Sequence, residues 1–396
     1  MDQELSLVLL DSPKGAKHEQ NLDVSVPSTH HRHRTFTKFF IYFSLVALAY
    51  YFIISSFAVS PISPTLPESA SGNVSSAKCD LFTGDWIPDP SGPLYNNFSC
   101  HHIQDFQNCL LNGRPDVNYL FWRWKPRDCD LPRFSPSQFL DTVKNKWWAF
   151  IGDSISRNHV QSLICIISQV EEAVESNPKP LTAPISSFTS TSSITNGPIQ
   201  YPNFDFVVIS GGKWFLKTTI FHENNTITGC HYCQGRNNLT DLGYDYSYRK
   251  TLNLLRDFVH NSNHKPLVLF RTTTPDHFEH GEWNTGGYCN RTMPFKESEA
   301  KMKTVDDVMR DVELDVFHKF GKGFGLGSNV RLLDTTGMSL LRPDGHPGPY
   351  RHPNPFAGVK NKSTVQNDCL HWCLPGPIDS WNDVMMETML NREQYI

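Results

Sequence analysis

Apolar residues in this chain fall into short runs separated by long polar stretches, and one run stands apart. Residues 39–59, FFIYFSLVALAYYFIISSFAV, carry no charge, and about 20 such residues are enough to cross a bilayer as a helix. Farther along, four shorter apolar runs at 147–151, 206–209, 267–271 and 330–334 each lead into a polar loop rich in Gly or Thr. They read as buried strands. Between them the apolar positions take helical spacing: Leu252, Leu255 and Val259 share one face, and Met302, Val305, Met309, Val312 and Val316 share another. Strands alternating with helices predict an α/β fold, a parallel sheet with helices on both faces. In such sheets ligands bind at the carboxyl ends of the strands.

Arg32, Arg34 and Lys38 precede the long run, and the positive-inside bias then makes residues 1–38 a cytosolic tail, 39–59 a transmembrane signal anchor and 60–78 a luminal stem. The stem is rich in Pro and Ser and too poor in large apolar residues to build a core. A cleaved signal peptide is the alternative, with small residues at Ala58, Val59 and Ser60. However, signal h-regions run roughly 7–15 residues after a short leader, and this run is longer and follows a long polar tail. The histidines at 30, 31 and 33, interleaved with Arg32 and Arg34, read as a juxtamembrane basic patch.

All ten cysteines follow residue 78, which points to an oxidising compartment for residues 79–396. N-glycosylation sequons at Asn73, Asn97, Asn224, Asn238, Asn290 and Asn361 fall on the same side. Residues 79–135, rich in Cys, Pro and Gly, predict a loop-rich lobe whose disulfides replace a core of its own; 136–396 form the α/β core. The Ser-, Thr- and Pro-rich segment 178–202 predicts a surface excursion.

A formal net charge of −4 gives no reason to expect nucleic acid as a partner. Aromatics make up 12% of the chain, which suits sugar recognition, although Trp is mostly a core residue.

The first predicted strand ends in Ile151-Gly152-Asp153-Ser154, and an apolar helical stretch runs on to Ile167. A serine on a tight strand-to-helix turn is lifted from the sheet among free N–H donors, as an acyl-transfer nucleophile requires; it also serves simply as a helix cap. A base and an orienting acid are offered by Asp368 and His371, three apart in a loop flanked by Cys369 and Cys373. Gly-Asp-Ser after the first core strand with Asp-x-x-His before the last helix is the layout of GDSL/SGNH esterases. Oxyanion donors are expected from the Ser154 N–H and from Gly211 or Gly212 after the second strand, with Arg157 adding positive charge or forming a structural ion pair. Asp344 and His346 read as backbone ties, and His277 and His280 as candidate sugar contacts. Cys230 and Cys233 are open to a loop disulfide, a redox pair or half of a zinc site.

Four ordered blocks carry a closer resemblance: CDLFTGDWIPDP from 79, GDSISRNHVQSLIC from 152, DTTGMSLLRPDGHP from 334 and DCLHWCLPGPIDSWN from 368. Together they resemble the trichome-birefringence-like family of plant polysaccharide O-acetyltransferases, from Cys79 nearly to the end. The resemblance implies an SGNH-like core, Ser154 as nucleophile, His371 as base and Asp368 as its orienter. It also implies disulfides Cys79–Cys129, Cys100–Cys165, Cys109–Cys373 and Cys289–Cys369, leaving Cys230 with Cys233. By the same resemblance the protein is a Golgi-membrane enzyme acetylating a hemicellulose, xyloglucan or mannan before xylan, with no metal and no bound cofactor. Acetyl-CoA or a luminal acetylated carrier would be the donor, with a membrane protein as its supplier. A secreted acetyl esterase and a non-catalytic polysaccharide-binding scaffold are the alternatives.

Overall fold

The computed structural model describes residues 6–10, 79–172 and 201–390, apart from 224, 225, 234, 236, 237, 325–328, 362 and 363. The run at 39–59, the stem, Asn73, Asn224 and most of the 178–202 excursion lie outside the described residues. Among the described residues no helix is long and apolar enough to cross a membrane.

The strands in chain order are β1 (Ser6–Leu10), β2 (Gly84–Pro88), β3 (Trp122–Pro126), β4 (Trp147–Ile151), β5 (Phe206–Ile209), β6 (Thr219–Glu223), β7 (Thr226–His231), β8 (Leu267–Arg271) and β9 (Val330–Leu333). The α-helices are α1 (Pro136–Val143), α2 (Ser154–Ile167), α3 (Gly243–Asn261), α4 (Thr304–Phe324), α5 (Thr336–Leu340) and α6 (Asp379–Leu390). A five-stranded parallel sheet runs β1-β4-β5-β8-β9. Its last four strands are the four apolar runs predicted from sequence, and α3 and α4 carry the two predicted helical faces, except that Met302 lies just before α4 begins.

Alternation along each strand divides the core in two. Trp148, Phe150, Val208, Leu267 and Leu269 point to the face covered by α1, α2 and α6. Ala149, Val207, Ile209, Val268 and Phe270 point to the face covered by α3 and α4. Both faces are therefore apolar, as expected of a parallel sheet sandwiched between helices. Trp148 is fully buried between Phe139 of α1 and Phe206 of β5, with ring centroids at 5.4 and 4.5 Å. Burial of such a side chain contributes on the order of 1.5–3 kcal/mol.

The lobe at 79–135 departs from expectation. Its β2–β3 antiparallel pair buries Trp86 against Trp124, and Leu81, Tyr95, Leu131 and Phe134 join the same core cluster as the α2 face of the sheet. Disulfides do not stand in for a missing core here; aromatic side chains extend the sheet's own core into the lobe.

Strand β1 pairs in register with β4, Ser6 opposite Trp147 and Leu10 opposite Ile151.

Candidate active site

The turn that joins β4 to α2 is built from three residues. At Gly152 a Cβ would lie 1.9 Å from the Ser210 carbonyl and 2.0 Å from Ser156 Oγ, so only glycine fits. Asp153 is the N-cap of α2: Oδ1 accepts from the Ile155 N–H at 3.0 Å. Its second oxygen accepts from the Gly212 N–H at 3.3 Å. Ser154 follows as the first helical residue, half-exposed, its N–H left without an intrahelical acceptor by its position.

Opposite it stands the loop that runs from Asp368 to α6. His371 Nε2 lies 2.8 Å from Ser154 Oγ, and His371 Nδ1 lies 2.8 Å from Asp368 Oδ2. The other Asp368 oxygen accepts from the N–H groups of His371 and Leu370 at 3.0 and 3.1 Å. Burial pushes the Asp368 carboxyl up. The charge of His371, the hydrogen bonds from its ring and backbone, and the charge of Arg351 outweigh burial and hold it well below the ordinary carboxylate range. A carboxylate so fixed keeps the proton of His371 on Nδ1 and turns a lone pair on Nε2 toward the serine.

The helix and the loop are joined a second time, one turn along. Asn158 lies four residues after Ser154 and so shares its helix face. Its Oδ1 accepts from the Trp372 N–H at 2.7 Å and its Nδ2 donates to the Trp372 carbonyl at 3.3 Å. Disulfides clamp the loop on both sides of His371, Cys289–Cys369 and Cys109–Cys373. Trp372, fully buried, stacks on His346 with centroids 4.3 Å apart. His346 Nδ1 donates to the His371 carbonyl at 2.7 Å.

Beneath the serine turn, Ser156 Oγ bonds Ser210 Oγ, which accepts from Arg271 Nη2 at 2.6 Å. Arg271 is buried; desolvation lowers its pKa to about 10 against the opposing charges of Asp153 and Glu313. Nearby, Glu313 accepts the Thr273 N–H at 2.9 and 3.0 Å and the Tyr248 hydroxyl; burial pushes its pKa up to about 8.

Residues 131–193 and 190–388 match the family described as the GDSL/SGNH-like acyl-esterase family found in Pmr5 and Cas1p, and residues 77–130 match the PMR5 N terminal domain. The chain belongs to this acyl-esterase family. Among its relatives, trichome birefringence-like 26 of Arabidopsis thaliana is 76% identical, the match covering 100% of this chain and 98% of the relative. Trichome birefringence-like 25 of the same plant is 58% identical over 93% of this chain and 95% of its own length. Xyloglucan O-acetyltransferase 1 of Populus trichocarpa is 38% identical over 85% of each chain.

Within this family member the other residues singled out in the sequence fall into distinct places. Gly212 spends its N–H on Asp153, so it is not a free oxyanion donor. Gly211 packs on the serine turn, where a Cβ would stand 3.6 Å from Gly152 Cα and 3.7 Å from the Asp153 nitrogen. Arg157 is half-buried on α2, and burial lowers its pKa. His277 is buried rather than offered to a ligand: its Nδ1 lies 2.6 Å from His346 Nε2. Asp344 is fully buried against Arg342, at 2.8 Å. His280 alone of these histidines is exposed, stacked on Tyr288. The remaining disulfides are Cys79–Cys129, Cys100–Cys165 and Cys230–Cys233. Asn97 is half-exposed; Asn238, Asn290 and Asn361 are exposed.

Three site residues escaped the sequence reading in their roles: Asp153, Asn158 and Arg271. Asn158 carried a signal, standing one helical turn after Ser154. Arg271 carried another, as a charge closing an otherwise apolar strand.

Proposed function

We propose that this protein is a polysaccharide O-acetyltransferase that works through an acetyl-Ser154 intermediate. The observation that carries this reading is the unbroken hydrogen-bonded chain Ser154 Oγ–His371 Nε2, His371 Nδ1–Asp368. In the first half-reaction Ser154 Oγ attacks the donor's acetyl carbonyl carbon while His371 Nε2 takes its proton. The developing oxyanion faces the N–H groups of Ser154 and Gly211 and the charge of Arg157. Collapse expels the donor's leaving group, which collects the proton from His371. A sugar hydroxyl then attacks the acetyl carbonyl, its proton passes to His371, and the Ser154 alkoxide takes that proton back as it leaves.

Xyloglucan or mannan is the preferred acceptor, ahead of xylan; the likeness to xyloglucan O-acetyltransferases 1 and 2 of Populus trichocarpa supports the first of these. The acetyl donor, acetyl-CoA or a luminal acetylated carrier, acts as a co-substrate and not as a resident cofactor, and a membrane protein supplies it. The catalytic domain is luminal in the Golgi, anchored by residues 39–59 as a single-pass type II protein.

An acetyl esterase would use the same three residues and differ only in admitting water at the second step. The test is mass spectrometry of xyloglucan, mannan and xylan oligosaccharides incubated with the protein and an acetyl donor, with Ser154→Ala alongside. A Ser154-dependent gain of acetyl on xyloglucan or mannan supports the proposal. Loss of acetyl from pre-acetylated glycans, with no gain on any acceptor, replaces it with an esterase.

A further inference from the structure

Residues 277–289 form a hairpin that is fastened at both ends to one residue of the catalytic loop. The His277 N–H donates to the Cys369 carbonyl at 2.9 Å, and Cys289 is disulfide-bonded to Cys369. Cys369 stands between Asp368 and His371. Trp283 sits midway along the hairpin, six residues from each fastening point.

The hairpin is stiff. Glu279 and Tyr288 exchange both backbone hydrogen bonds, at 2.8 and 3.0 Å. At its neck the strands cross so closely that a Cβ on Gly287 would meet the Gly281 carbonyl at 2.4 Å. The tip closes on itself: the Glu282 carbonyl accepts from Thr285 and Gly287 at 3.1 and 3.0 Å, and the Glu282 N–H donates to Thr285 Oγ1 at 2.7 Å.

What this stiff arm presents is aromatic. Trp283 is 65% exposed. Three residues earlier in the chain His280, held at φ +57° in a region that non-glycine residues seldom enter, lies over Tyr288 with centroids 5.1 Å apart and planes 22° apart. Single exposed apolar side chains are ordinary on protein surfaces; one carried on a rigid arm bolted to the catalytic loop is not. The hairpin's own acids are both paired: Glu279 with Arg291 at 2.7 Å, and Glu282 with Lys303 at 3.0 Å, a lysine shared with Asp276 just before the hairpin. An arm with paired charges and flat rings suits an uncharged pyranose chain, whose C–H faces pack on aromatic rings, better than a charged ligand.

We propose that Trp283, with His280 stacked on Tyr288, is a sugar-binding platform that holds the acceptor polysaccharide a few residues along from the hydroxyl being acetylated. This rests on the acyltransferase reading above. Six residues reach at most about 20 Å from Cys369, so a chain held at the platform passes within a few sugar residues of the catalytic loop.

The experiment compares the full chain with Trp283→Ala and Trp283→Phe on de-acetylated xyloglucan oligosaccharides of increasing length. It measures acceptor kcat and KM, binding by calorimetry, and acetylation of Ser154 by 4-nitrophenyl acetate. Trp283→Ala is expected to raise KM and weaken binding about tenfold for long oligosaccharides and to leave the shortest unchanged. Trp283→Phe is expected to keep most of the affinity, and Ser154 acetylation is expected to be equal in all three. Equal affinity of wild type and Trp283→Ala for every length, or equal losses at every length, overturns the platform. Failure of Ser154 to acetylate in any of the three overturns the acyltransferase reading instead, and the calorimetry still judges the platform.

Discussion

Asn158 holds the backbone of Trp372 from both sides, accepting its N–H at 2.7 Å and donating to its carbonyl at 3.3 Å. Because Asn158 is one helical turn from Ser154 and Trp372 is next to His371, this pair fixes the distance between serine and base. Asn158→Ala is expected to lower kcat about 100-fold while KM for the acceptor changes little, since a displacement on the order of 1 Å at a reacting pair costs about that much. Steady-state kinetics check this. A KM effect with kcat intact would place Asn158 in substrate binding.

Asp368→Asn preserves shape and removes charge. The rate is expected to fall about 10⁴-fold through loss of the correct His371 tautomer. The same carboxylate contributes stability with a definite pH dependence. Its folded pKa lies below the unfolded value of 3.8, so its contribution is present above about pH 4 and is lost as pH falls below that. Melting curves of wild type and Asp368→Asn should therefore converge in acid; a gap that widened on acidification would contradict the assignment.

His346 and His277 give the opposite titration class the same sign. Burial lowers their pKa values to about 3 and about 4 from 6.5. The outer nitrogens of the pair bond the Leu340 and His371 carbonyls and the inner two share one short contact, which leaves room for three protons at most; below pH 6.5 the unfolded chain binds a fourth that the folded pair refuses. Stability is therefore full above that pH and falls as pH drops toward 4, the pair contributing at most about 1.4 kcal/mol per pH unit. His346→Asn, whose amide can still donate to the His371 carbonyl, is expected to flatten the decline of melting temperature between about pH 6.5 and 4.5. Parallel curves would show that His346 is not the group responsible.

The pairing of β1 with β4 and the anchor at 39–59 make opposed predictions. Under the proposed topology, a sequon introduced near residue 10 stays unglycosylated in microsomes while Asn238, Asn290 and Asn361 are modified, and protease added outside removes only the tail. Glycosylation of the added sequon would put β1 with the core and remove the span.

The four core strands and the two flanking helices were legible because both faces of a parallel sheet are apolar and its helices keep a 3.6-residue period. The lobe at 79–135 was legible only in part: its cysteines were visible, but the burial of Trp86, Tyr95 and Phe134 in the sheet's core depends on long-range packing with no local period. Ser154, His371 and Asp368 could be singled out because each sits in a compact motif. Gly212 shows the limit, since adjacency to Gly211 says nothing about which N–H the Asp153 carboxylate will capture. His277 shows it too, as a polar residue in a polar stretch that the fold nevertheless buries against His346.

The central claim is the covalent acetyl-Ser154 intermediate, and the most direct measurement is peptide mass spectrometry of the protein quenched after mixing with an isotopically labelled acetyl donor without acceptor. Labelled acetyl on the Ser154 peptide, discharged when xyloglucan or mannan oligosaccharide is added and absent in Ser154→Ala, is the predicted result. Transfer to the glycan at full rate by the Ser154→Ala variant, or label retained on Ser154 after acceptor is added, would contradict it.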